Sequence, residues 1–154
     1  MQLADFLDCD AIKTALPGGN KRSLLKQLAE IAAQRIDVDA ATILGALNER
    51  EQLGSTGFGN GVAIPHARID GLDEIYGLFA RLGEEVDYKA IDGKPVDLVF
   101  LLLSPTGAGA EHLKALASIS RVTRDAATLE RLRGARSRDA LVAVLMGVDE
   151  RDAA

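Results

Sequence analysis

No tryptophan occurs in these 154 residues, and only two tyrosines and four phenylalanines do. The core must therefore be assembled from Leu, Val, Ile and Ala, and the 47 % apolar fraction supplies enough of them for a chain of this length. Cysteine is nearly missing too. Cys9 stands alone, so neither an intramolecular disulfide nor a cysteine-based metal site can form. There is no excess of positive charge: 18 Lys and Arg against 23 Asp and Glu leave a formal net charge of −5. Nucleic-acid binding needs a concentrated cationic surface and is disfavoured. The Lys21-Arg22 pair and the basic stretch from Arg131 to Arg138 read as solvated faces. Long apolar runs are lacking as well. None, the run from Leu98 to Leu103 included, is long enough to cross a bilayer. The first residues lack the basic region and long apolar segment of a secretory signal. No repeat or low-complexity linker divides the chain. One domain over residues 1–154 is expected, soluble and cytoplasmic, without membrane insertion.

What is present is periodic. Ser23 to Ala33 places Leu24, Leu25, Leu28, Ile31 and Ala32 on one helical face, with Ser23 as the N-cap. Asp39 to Arg50 gives a second helix, capped by Asp39, with Ile43, Leu44 and Leu47 turned inward. Four glycines between Gly54 and Gly61 then break the pattern. Val62 to Ile64 reads as a short strand ended by Pro65, and Ile75 to Leu82 as the next. Val96 to Leu103 is apolar almost throughout, the mark of a strand buried on both faces. After a turn at Pro105 to Gly109, Glu111 to Arg124 forms a helix with Leu113, Leu116, Ala117 and Ile119 available for packing. Helices follow at Ala126 to Arg133 and Arg138 to Met146, and Ala11 to Leu16 reads as an edge strand. Helices on either side of a strand-rich middle imply an α/β fold of three layers, α/β/α, around a mixed sheet of four to five strands.

The chain holds only two histidines, and one of them, His66, follows a glycine loop and a short strand. Ligands of α/β proteins collect at strand ends of this kind. A neutral imidazole is nucleophilic near pH 7. Phosphoryl transfer between nitrogens needs such a nucleophile, a cationic fork and a few oriented donors, because its loose transition state is helped mostly by alignment and charge stabilisation. Arg50, just ahead of the glycine loop, supplies the fork. The loop amides with the hydroxyls of Ser55 and Thr56 supply candidate phosphate contacts. A structural histidine is the plainer alternative for His66, and a solvent-exposed histidine at a helix start is the plainer alternative for His112. Metal binding by His66, His112 and Asp70 or Asp73 is disfavoured by the cationic neighbour Arg50. No cofactor is expected. Gly107-Ala-Gly109 lacks the third glycine and the strand–helix context of a dinucleotide site.

Glu51, six residues, Phe58-Gly59, two residues and then Val62-Ala-Ile-Pro-His-Ala67 resembles the signature of the fructose/mannitol-type IIA domains of the bacterial phosphotransferase system. Arg50 to His66 and Val86 to Leu103 resemble the nitrogen-regulatory branch of that family most closely, and the likeness spans nearly the whole chain. The resemblance implies that His66 accepts a phosphoryl group from an HPr-like phosphocarrier protein that is itself phosphorylated on histidine. It also implies that Arg50 and His112 flank that group, with the start of the helix carrying His112 aimed at the anion. Implied partners are the carrier and regulatory targets such as sensor kinases or potassium-transport systems. The alternative is a sugar-transport IIA component that passes its phosphate to a IIB domain. The resemblance of the middle segment, and a chain ending at Ala154 without a fused IIB or membrane domain, favour the regulator.

Overall fold

The apolar run from Leu98 to Leu103 forms the centre of the molecule in the computed structural model, which describes residues 1–153, with side chains through residue 147. In chain order the strands and helices are β1 (Lys13–Leu16), α1 (Lys21–Ala33), α2 (Ala40–Gln52), β2 (Gly57–Gly59), β3 (Val62–Ala63), β4 (His66–Ile69), β5 (Tyr76–Val86), β6 (Val96–Pro105), α3 (Ala110–Thr123), α4 (Ala126–Gly134) and α5 (Arg138–Ala153). The sheet runs β1-β5-β6-β3-β2, with β4 also paired to β6. β5 is antiparallel to β6, while β3 and β4 run parallel to it. β1 lies parallel to β5 at one edge, where the sequence places it. The sheet is mixed, as expected, but has six strands rather than four or five.

The two-residue period of β6 explains the layering. Val99, Leu101 and Leu103 join Leu24, Leu28, Ile43 and Leu47 in a core under α1 and α2. Leu98, Phe100 and Leu102 join Ala115, Ile119, Leu132, Leu141 and Leu145 in a second core under α3, α4 and α5. All six of these β6 side chains are fully buried. Phe79 and Phe100 pack ring against ring in the second core, tilted at 56° with 4.9 Å between centroids.

Several local expectations shift. Asn20, not Ser23, caps α1: its side-chain oxygen accepts from the Ser23 amide at 2.8 Å. Asp39 occupies the N-cap position of α2 without a side-chain capping bond. The inward face of α3 carries His112, Ala115, Ile119 and Val122, whereas Leu113 is 64 % exposed. β2 and β4 are strands that the sequence reading left out. Gly57 in β2 has a steric reason: a Cβ there would lie 2.8 Å from the Ala90 Cα, too close for any other residue. β3 and β4 follow one path along β6 in one register, Val62 opposite Leu98 and His66 opposite Leu102. Across the gap at Ile64-Pro65, the Leu102 amide donates to the Pro65 carbonyl at 3.0 Å. His66 therefore sits on a held strand, not on a loose tail.

One cation ties the layers together. Arg81 of β5 donates through Nε to the Thr14 carbonyl at 2.9 Å, and through one terminal nitrogen to the carbonyls of Leu132 at 2.9 Å and Ala135 at 2.5 Å. These satisfy the orphan carbonyls at the C-terminal end of α4, where a cation is also favoured by the helix dipole. Arg81→Met keeps the stem but strands those acceptors, so it should lower unfolding stability by about 2–3 kcal/mol in urea denaturation. A loss below about 0.5 kcal/mol would mean that water replaces the guanidinium without cost.

Candidate functional site

His66 opens β4, and Arg50 lies in the last turn of α2, which packs against that strand. His112 lies in the first turn of α3. Three side chains far apart in the sequence thus meet at one cleft of about 480 Å³, lined also by Ala46, Glu49, Leu53, Arg68, Leu113 and Leu116.

The His66 ring is buried and fixed at both nitrogens. Nδ1 lies 2.7 Å from the Ile64 carbonyl. A carbonyl can only accept, so Nδ1 carries the proton and the ring's lone pair resides on Nε2. Arg50 Nε donates to that lone pair at 3.2 Å, while a terminal nitrogen of Arg50 donates to the Gly54 carbonyl at 2.9 Å. Burial pushes the His66 pKa below its ordinary value; Arg50 adds to this, against the opposing pull of the Ile64 carbonyl and Glu51. The ring is therefore neutral at physiological pH.

His112 is also buried, with ring centroids 5.7 Å from His66. Its Nδ1 is 2.7 Å from the Ser104 hydroxyl. Burial, with the positive charge of Arg68 and the neighbouring His66, lowers its pKa to about 4. Neither ring welcomes a proton.

Ser55 and Thr56 are placed differently. Neither lines the cleft. The Thr56 hydroxyl is buried and donates to the Glu51 carboxylate, leaving the Tyr88 hydroxyl to donate to Thr56 at 3.0 Å. The Thr56 amide also donates to Glu51, at 3.0 Å. Ser55 donates to the Tyr88 carbonyl at 3.2 Å and accepts from the Gly57 amide at 3.1 Å. Lys21 pairs with Glu51 at 2.9 Å and sits 4.5 Å above the Tyr88 ring. The result is a buried brace beneath the glycine loop, one residue from Arg50.

Arg68 and Ser104 escaped the sequence reading. Arg68 had a usable signal, since two residues along a strand from His66 returns to the same face. Ser104 had one too, as the polar residue that ends the apolar run of β6. Among the described residues no group of three or more His, Cys, Asp or Glu side chains could hold a metal ion. No helix there is long and apolar enough to cross a membrane.

Comparison with known proteins places the chain in a family. Residues 5–147 match the family model for the phosphoenolpyruvate-dependent sugar phosphotransferase system, EIIA 2. A nitrogen regulatory protein of Bradyrhizobium diazoefficiens is 46 % identical over 145 residues, covering 94 % of this chain and 95 % of that protein. A fructose-specific EIIA component of Haloferax volcanii is 37 % identical, covering 87 % of this chain and 88 % of its own. The crystal structure of the nitrogen regulatory protein IIA-Ntr from Neisseria meningitidis superposes with a TM-score of 0.88 at 34 % identity, covering 93 % of this chain and 98 % of that one. The chain belongs to the EIIA type 2 family of the phosphoenolpyruvate-dependent sugar phosphotransferase system, and within it to the nitrogen regulatory IIA proteins.

Proposed function

We propose that this protein is a cytoplasmic phosphoryl-accepting regulator, charged on Nε2 of His66 by an HPr-like phosphocarrier and read by target proteins according to its phosphorylation state. The observation that carries this reading is the His66 ring itself: proton on Nδ1 against the Ile64 carbonyl, lone pair on Nε2 beside the Arg50 guanidinium.

In the transfer, the P–N bond of the carrier's phosphohistidine breaks as the bond from phosphorus to His66 Nε2 forms, and the carrier ring leaves with its electron pair. The His66 ring keeps its Nδ1 proton and gains positive character, which the Ile64 carbonyl stabilises as acceptor. Arg50 exchanges its bond to the lone pair for bonds to the equatorial oxygens while keeping its anchor on Gly54. His112 approaches the same oxygens from α3. Ser55 and Thr56 contribute through the brace, holding the glycine loop and so Arg50. Exposed Leu53 and Leu113 flank the cleft and supply apolar contact for a docking carrier.

A phosphoryl group adds close to two negative charges and strong acceptors to this rim, enough to repel or attract a partner without refolding. Regulatory targets of the kind implied are sensor kinases or potassium-transport systems. A second reading, a sugar-transport component donating to a IIB domain, draws support from the fructose-specific relative. With phosphoenolpyruvate, the first enzyme of the system and the carrier, the protein should take up one acid-labile phosphoryl group. Pull-downs with charged and uncharged protein should then recover different partners. No uptake rejects the phosphoryl-acceptor reading, whereas identical partner sets together with rapid discharge onto a sugar IIB domain would establish the transport reading instead.

A further inference from the structure

We propose that Ser104 is a positioning residue: its hydroxyl donates to Nδ1 of His112 and so fixes that ring with its proton on Nε2, making His112 a neutral hydrogen-bond donor to the phosphoryl group. This rests on the reading of His66 as phosphoryl acceptor.

Ser104 lies near the end of β6, opposite Arg68 of β4, and is fully buried. Its hydroxyl has one hydrogen-bond partner among the described residues, His112 Nδ1 at 2.7 Å. Only two proton arrangements fit that distance. If Nδ1 carried the ring proton and donated, the serine's own O–H would be left in the interior with no acceptor, an expensive loss for a buried donor. If the serine donates, the hydroxyl proton and the Nδ1 lone pair are both satisfied. The second arrangement leaves nothing unpaired. A neutral imidazole has a single N–H, so with Nδ1 accepting, that proton sits on Nε2.

Protonation does not offer a third way out. Arg68 on the adjoining strand and burial of the ring both disfavour the imidazolium, and the two nitrogens of a neutral ring must divide the roles of donor and acceptor. Nε2 has no hydrogen-bond partner among the described residues, and His112 lines the cleft that His66 shares. A lone pair there would face the oxygens of an arriving anion and repel them, whereas an N–H meets them as a donor. The two histidines therefore hold opposite tautomers for opposite purposes. A backbone carbonyl, which can only accept, leaves His66 with a lone pair. A hydroxyl without another acceptor leaves His112 with a proton.

The assignment is read directly from imidazole nitrogen shifts and two-bond proton–nitrogen correlations in uniformly ¹⁵N-labelled full-length protein at pH 7.5. His66 should show its proton on Nδ1 and His112 on Nε2. In Ser104→Ala the His112 signals should move toward a tautomer mixture, while Ser104→Thr, which keeps the hydroxyl, should restore the wild-type pattern. Single-turnover transfer from the phosphorylated carrier should slow by about 10- to 100-fold in Ser104→Ala at saturating carrier, with the carrier's apparent affinity unchanged. His112→Ala should slow it similarly, and the double variant should be no slower than His112→Ala alone, since the serine acts through the histidine. A wild-type His112 with its proton on Nδ1 overturns the proposal, and so does an unchanged His112 pattern in Ser104→Ala. These spectra need no phosphate, so they separate the two readings. Labelled His66 with the wrong His112 tautomer rejects the role of Ser104 alone. Absence of any phosphoryl uptake with the expected tautomers rejects the acceptor reading and the donor role with it.

Discussion

His66→Ala should abolish phosphoryl uptake completely while leaving the circular dichroism spectrum unchanged. The chain offers one other imidazole, His112, and its free nitrogen is assigned a proton instead of a lone pair, so it is no substitute nucleophile. The folding cost of the change is modest. The ring's partners are a backbone carbonyl near a strand end and an arginine that already has a second anchor on Gly54. Nor does the β3–β4 path depend on the imidazole, since its pairing with β6 is made by backbone groups. The isomer formed on the wild-type protein is also determined. Nδ1 is engaged against Ile64, so phosphorus–nitrogen coupling should locate the phosphoryl group on Nε2. Residual uptake by His66→Ala above the level of protein without carrier would move the nucleophile elsewhere; coupling to Nδ1 would mean that the Ile64 contact breaks before transfer.

How much of this could be read from the sequence depends on how long each signal lasts. β6 was legible because six unbroken apolar residues, Leu98 to Leu103, leave few alternatives, and the helical period of α1 and α2 persists over three turns. β4 alternates correctly, His66 and Arg68 on one face and Ala67 and Ile69 on the other. Four residues after a proline are too short a window to separate that from chance. β2 reads Gly-Phe-Gly and has no alternation to detect; its pairing is dictated by close approach to Ala90, a tertiary fact. In α3 two apolar stripes overlap. The one through Ala115, Ile119 and Val122 faces the core, and the one through Leu113 and Leu116 turns to the cleft. The meeting of Arg50, His66 and His112 followed from residue types and family likeness, but the choice of nitrogen did not. That depends on a carbonyl two residues back and a hydroxyl eight residues away, and no sequence pattern records either direction of donation.

The same limit explains Ser55 and Thr56. A glycine loop with hydroxyls beside a histidine is the composition of a phosphate cradle, yet here the hydroxyls serve Glu51 and Tyr88. Glu51 also holds Lys21, so the brace places a paired charge, already neutralised, directly behind Arg50. Arg50 is then the cation left facing His66 Nε2, which makes it the residue whose loss should cost transfer the most after His66 itself.

Arg50→Ala should slow single-turnover transfer to His66 by roughly 100- to 1,000-fold, the scale seen when one preorganised donor to transition-state charge is removed. Arg50→Lys should recover only part of this, because an ammonium supplies charge without the planar fork that grips two oxygens. The fold should persist in both, since α2 keeps Ile43 and Leu47 in the core. A second readout follows from electrostatics. Arg50 holds the His66 pKa down, so its removal should raise that pKa in an NMR titration, though not above the ordinary histidine range, because burial still opposes the charged ring. The sign fixes the pH dependence of the defect. A raised pKa protonates more of the Arg50→Ala ring as pH falls, and a protonated ring has no lone pair to attack with. The variant's deficit should therefore be larger at pH 6 than at pH 8, with Arg50→Lys showing little of this extra loss. A deficit equal at both pH values would confine Arg50 to the transition state. An unchanged rate would remove it from the transfer altogether, and with it the reason for holding a cationic fork 3.2 Å from a neutral imidazole.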